Sequence, residues 1–231
     1  MTPHRVLLLF DIDGTLLTTG GVARRAFAAA VRDVFGVEDD LGGVEFAGRT
    51  EPLIVGDILE RRSLRFRDGE EARFWDRLVA HMERQFVPPL GRLLPGVPAV
   101  LDAVQAEPGF ATGLLTGNLS RVARVKLARF GLGSRFDFGA FGEEAPDRNA
   151  LAQLAARRAR ERFGLSPERI VVIGDTHRDV ECARAAGAHA VAVATGGQSA
   201  DELASHAPDL LLADLSDPEP LLAYARAVAE R

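Results

Sequence analysis

Apolar positions in this chain follow two periodicities that alternate along its length. Unbroken runs occur at Val6-Leu7-Leu8-Leu9-Phe10, Ile170-Val171-Val172-Ile173, Ala190-Val191-Ala192-Val193 and Leu210-Leu211-Leu212, and residues 110–115 read as a further strand. Their length and content predict strands buried on both faces. Between them, helical spacing predicts helices over 97–105, from Ser120 toward Gly131, over 149–163, up to Ala186 and over 221–229. Ser120 reads as a helix cap, and Gly131, Gly164 and Gly187 as stop signals. Strands interleaved with helices imply a parallel sheet covered on both faces. Residues 17–89 break the alternation. Phe27, Ala30, Val31, Val34 and Phe35 make one helical stripe before Gly36. Leu53, Ile54, Ile58 and Leu59 make another, with Thr50 as a candidate cap and Pro52 in the first turn. Phe74, Trp75, Leu78, Val79, Met82 and Phe86 make a third, ended by Pro88-Pro89. No strand is expected there. The fold class read from this pattern is α/β: a Rossmann-like parallel-sheet core from residues 1–16 and 90–231, with a helical cap inserted at 17–89.

Three of the strands end in polar groups. The first runs into Asp11-Ile12-Asp13-Gly14-Thr15, another into Thr116-Gly117-Asn118, and a third into Gly174-Asp175 with Asp179 four residues on. Parallel strands place these ends on one edge of the sheet, where open α/β sheets bind ligands. Asp and Gly also serve as ordinary turn formers. A cluster of partly buried carboxylates, however, needs positive compensation, and a hard divalent cation with oxygen ligands supplies it.

Composition narrows the function classes. The chain has 231 residues, 47% hydrophobic and 26% charged, which is the globular range and leaves room for a large core. A net charge of −5 argues against nucleic-acid binding, and the run Arg157-Arg158-Ala159-Arg160-Glu161-Arg162 reads as a solvated helix face. Cys182 is the single cysteine, so no intrachain disulfide forms and a reducing compartment fits. No segment is long and apolar enough for a signal peptide or a membrane span. The expectation is a cytoplasmic protein with no membrane or nucleic-acid partner, either monomer or homodimer.

In order and strand context, Asp-x-Asp-Gly-Thr, Thr-Gly-Asn and Gly-Asp-x-x-x-Asp resemble the motifs of the haloacid dehalogenase (HAD) superfamily. The resemblance spans nearly the whole chain. The helical insert after the first motif looks like the cap of phosphoglycolate-phosphatase-like members. It implies a phosphomonoester hydrolase that uses Mg2+ and acts on a small phosphorylated metabolite, such as phosphoglycolate or a sugar phosphate. By the same resemblance Asp11 is the nucleophile that forms an aspartyl-phosphate, and Asp13 is the general acid and then base. Thr116 and the backbone of Gly117 and Asn118 hold the phosphoryl group. Asp11, the carbonyl of Asp13 and Asp175 hold Mg2+, with Asp179 binding it or orienting Thr176 and the loop.

The family pattern carries a lysine between the second and last motifs, where this chain has Ala145-Pro146-Asp147-Arg148-Asn149. Arg148 is the candidate phosphate-stabilising cation, although Arg and Lys differ in reach and hydration. Lys126, the only lysine, sits mid-helix and reads as solvated or salt-bridged, outside the site. Arg49 and Thr50 could present donors to an anionic substrate from the cap, or simply form a helix start. His177 could line the rim but reads rather as a bystander in a polar loop, and Cys182 as packing. A β-phosphoglucomutase-like phosphotransferase shares these motifs. Asp13 argues against a dehalogenase, which carries an aromatic residue there. A phospho-aspartate receiver is shorter and lacks the insert.

Overall fold

Strand β1 (Val6–Phe10) lies in the middle of the molecule, with all five side chains buried. In the computed structural model, which describes residues 5–230, it pairs in parallel with β4 (Phe110–Leu115) on one side and β6 (Ile170–Gly174) on the other. The sheet continues outward through β5 (Gly139–Ala140) at one edge, and through β7 (His189–Val193) and β8 (Leu210–Leu212) toward the other. Its order is β5-β4-β1-β6-β7-β8, and every pairing is parallel.

The two-residue period of a strand divides the core into two layers. Val6, Leu8 and Phe10 face α4 (Val97–Ala106), α5 (Ser120–Ala128) and α9 (Glu219–Glu230). Leu7 and Leu9 face α6 (Arg148–Phe163), α7 (His177–Ala185) and α8 (Ala200–Ser205). Short 3-10 turns at Gly142–Glu144 and Pro167–Arg169 complete the connections. Gly164 adopts φ 70° at the end of α6, a conformation that suits a residue without Cβ.

Between β1 and β4 the chain leaves the sheet and builds α1 (Val22–Phe35), α2 (Glu51–Arg61) and α3 (Glu70–Gln85). Helices α1 and α3 share an aromatic cluster in which Phe74 packs against Phe27, Phe66 and Trp75. No strand was expected among residues 17–89, yet β2 (Leu17–Thr18) pairs antiparallel with β3 (Arg92–Leu93). A two-residue strand has no period to read, so the pairing of Leu17 with Leu93 is invisible to patterning. Likewise, Ser120 is the first residue of α5 and not its cap: Leu119 occupies the cap position, and the Ser120 N–H donates to the Glu143 carboxylate instead. Thr50 does sit at the cap of α2, but its buried hydroxyl makes no capping bond and has no hydrogen-bond partner.

Candidate active site

The C-terminal ends of β1, β4 and β6 open into a cavity of about 490 Å³, closed from above by α1, α2 and the loop before α2. Asp11 follows β1, and its backbone N–H donates to the Ile173 carbonyl of β6 (2.9 Å), fixing its carboxylate at the strand edge. Asp175 follows β6 and accepts from the Thr15 hydroxyl (3.0 Å). Asp179, in the first turn of α7, accepts from the Thr176 N–H (3.0 Å) and hydroxyl (2.7 Å). One carboxylate oxygen from each of Asp11, Asp175 and Asp179 lies within 4.8 Å of the others, and all three residues are buried.

Glycine makes this approach possible. A Cβ on Gly14, whose φ is 83°, would fall 2.2 Å from Asp175 Oδ2, and one on Gly196 would fall 1.7 Å from it. Burial raises the Asp11 carboxyl to about 6, with Asp179 and Asp13 adding repulsion and Arg148 opposing it. Asp175 is pushed well above the carboxylate range, first by burial and then by the charges of Asp179 and Asp11. An oxygen-only cluster that disfavours its own ionisation fits a hard divalent cation. The Asp13 side chain lies outside this trio and turns toward α5.

Arg148, the first residue of α6, reaches the cluster from below. Its Nη2 lies 3.2 Å from Asp11 Oδ2, and the same nitrogen pairs with Asp179. Burial works against its charge, but Asp11 and Asp179 more than reverse that and hold the guanidinium firmly protonated. Its Nε is buried without a partner.

Lys126 is salt-bridged, as one of its two sequence readings had it, but it lies at the cavity and not outside the site. It is not solvated but 2% exposed, and its Nζ donates to Asp13 Oδ2 (2.6 Å) and to Asn118 Oδ1. Helical side chains lean toward the N-terminus, so a lysine in the second turn of α5 can reach back to the loop before it. Asn118 completes the arrangement: its Nδ2 donates to Asp13 Oδ2 (2.8 Å) and to Thr116 Oγ1 (2.7 Å). The two ends of the cavity floor therefore carry one cation each, Arg148 beside Asp11 and Lys126 beside Asp13.

Above this floor, Arg49 lines the cavity, with its guanidinium in a two-pronged pair with Asp57 of α2. Thr50 is fully buried and does not line the cavity. Phe27, Phe46, Ile54 and Arg24 line the cavity, and Phe46 carries the Arg24 guanidinium over its ring. Glu51, 4% exposed, was not singled out by sequence reasoning, since an acid in the first turn of a helix is ordinary. Its burial raises the carboxyl to about 7 despite Lys126 nearby. His177 stacks on His206 and donates its N–H to Gln198, away from the acidic cluster. Cys182 packs under Asp179, and burial pushes its thiol up to about 12.

A family model for haloacid dehalogenase-like hydrolases matches residues 6–187. The chain belongs to that family. It is 35% identical over 145 residues to a phosphoglycolate phosphatase of Synechococcus elongatus, covering 61% of this chain and 65% of that protein. It is 24% identical over 228 residues to one of Aliivibrio fischeri, covering 95% and 97%. Among solved structures, a predicted phosphoglycolate phosphatase from Haemophilus somnus superposes with a TM-score of 0.74 at 21% identity, covering 96% of this chain and 99% of that one. A chain from Thermotoga maritima provisionally described as a β-phosphoglucomutase gives 0.61 at 20% identity, covering 95% and 99%, so structures described in either way share this fold. The protein is therefore an enzyme, a hydrolase of the phosphatase type, similar to the phosphoglycolate phosphatases.

Proposed function

We propose that this enzyme hydrolyses a small phosphomonoester, of the phosphoglycolate or sugar phosphate class, through an aspartyl-phosphate on Asp11. The observation that carries the reading is the convergence of Asp11 with Arg148 and of Asp13 with Lys126 on one cavity floor. Asp11, buried and held by the β6 backbone, attacks phosphorus; Asp13, with its side chain 42% exposed to the cavity, protonates the leaving alcohol. Asp13 then takes a proton from the water that hydrolyses the acyl phosphate. Arg148 and Lys126 hold charge against the phosphoryl oxygens from opposite ends. Thr116 is fully buried just outside the cavity lining; its hydroxyl accepts from Asn118 and keeps its own proton to donate.

Asp11, Asp175 and the carbonyl of Asp13 would hold Mg2+, and Asp179 orients Thr176 and Arg148 around them. Bound there, the ion offsets repulsion between Asp11 and a phosphate dianion. Residues 17–89 act as a cap that excludes water from the cavity during the first step. Aromatic and aliphatic walls at Phe27, Phe46 and Ile54 leave room for a leaving group larger than glycolate.

The test is phosphate release from a panel of phosphomonoesters with and without Mg2+. Turnover that requires the metal and disappears in Asp11→Asn is expected. Mg2+-independent turnover, or turnover that survives that substitution, would overturn the mechanism.

A further inference from the structure

We propose that Glu51 is a positioning residue, which grips the loop between β4 and α5 on both sides of Asn118 and so seats Asp13 for proton transfer. The role rests on the phosphatase reading above. The Glu51 N–H donates to the Gly117 carbonyl (2.8 Å), and its Oε2 accepts from the Leu119 N–H (2.8 Å). Asn118 lies between these two bonds. Its own carbonyl accepts from the Gly142 N–H (2.8 Å), so the loop is held from the opposite side as well. Asn118 in turn donates to the same Asp13 oxygen that Lys126 holds.

The fit leaves no slack. A Cβ on Gly117 would lie 2.1 Å from the Arg49 carbonyl, and one on Gly142 would lie 2.1 Å from the Gly117 carbonyl. An ordinary first-turn glutamate faces water; this one is buried against the loop, where ionisation is costly. The charged groups that face it are Lys126 of α5, Asp13 after β1 and Glu143 of the 3-10 turn. No other side chain of α2 bonds to the loop among the described hydrogen bonds. A residue of the helical insert thus controls the placement of an acid-base group it does not touch.

The experiment compares Glu51→Ala with Glu51→Gln by steady-state kinetics and by amide hydrogen exchange at Leu119. The amide oxygen of Gln still accepts the Leu119 N–H. In Glu51→Ala, kcat is expected to fall about tenfold or more while KM changes less than about threefold, and Leu119 exchange accelerates. Glu51→Gln should restore most of kcat and the slow exchange. Wild-type kcat in Glu51→Ala, or a Gln variant as slow as Ala, overturns the proposal. If Glu51→Ala does not fold, Glu51→Gln decides: retained kcat with a protected Leu119 supports the grip, and loss of either overturns it. Exchange is read without substrate. A wild-type enzyme inactive on every phosphomonoester therefore defeats the phosphatase reading, whereas unchanged Leu119 exchange in Glu51→Ala defeats the grip.

Discussion

The sheet edge and the helical insert face each other across one cavity, yet they manage charge in opposite ways. At the sheet edge, the carboxylates of Asp11, Asp175 and Asp179 crowd one another and share a single buried arginine. In the insert, Arg49 is already neutralised by Asp57, and Arg24 spends its donors on the Leu41 and Val44 carbonyls. The edge is a strained electrostatic assembly that a cation and a phosphate would complete. The insert is a satisfied surface that shapes the space around them. Chemistry should therefore reside on one side and selectivity on the other, with Glu51 as the point where the two meet.

That division can be broken or sharpened by substitution. Asp11→Asn should cost the most, at least about 10³-fold in kcat, because it removes the proposed nucleophile. Phosphate release on the best panel substrate measures it, and a residual rate above about a tenth would contradict the assignment. Lys126→Ala should lower kcat roughly 10²-fold, since it removes the cation paired with Asp13 and unseats Asn118 together. A change confined to KM would instead move Lys126 into substrate binding. Arg49→Ala should raise KM several-fold and leave kcat within about twofold, the signature of a wall residue.

A smaller effect lies in stability. The carboxyl of Glu51 has a folded pKa of about 7 against an ordinary 4.5, so the folded state binds the proton more tightly than the unfolded one. Its contribution is complete below pH 4.5 and is lost as pH rises through 7. Glu51→Gln, which cannot ionise, should gain on the order of 2 kcal/mol over wild type at pH 8, with the difference vanishing near pH 4. Urea denaturation at the two pH values measures this, and an equal difference at both would show that the charge is not the cause.

Legibility in the sequence followed physical scale. The strands β1, β6 and β7 could be read because each is an apolar run bounded by turn residues, and β4 because it lies between two helical patterns and ends in Thr116-Gly117-Asn118; their order placed Asp11, Thr116 and Asp175 on one edge. Arg148 could be singled out because the family resemblance places a cation between the second and last motifs, and the structure sets it at the start of α6 beside Asp11. The pair β2 and β3 could not, since two residues carry no period and their register depends on the packing of everything between them. Lys126 was misjudged for a different reason. It was placed mid-helix, whereas α5 ends at Ala128 and puts it in the last turn, where a four-carbon side chain leaning back along the helix carries its charge toward the loop before it. Glu51 was missed because nothing local distinguishes a first-turn glutamate that faces water from one pressed against a neighbouring loop.

The ribbon of β2 and β3 has a consequence of its own. Leu17 pairs with Leu93, so the chain departs for its long excursion and returns from it at the same point in space. An intervening segment of another length or sequence could be grafted there without moving any strand of the main sheet. The recognition surface could thus be exchanged as a cassette, provided the new segment restores the hold that Glu51 has on the loop between β4 and α5, and a protein engineer could use the same two positions as splice sites.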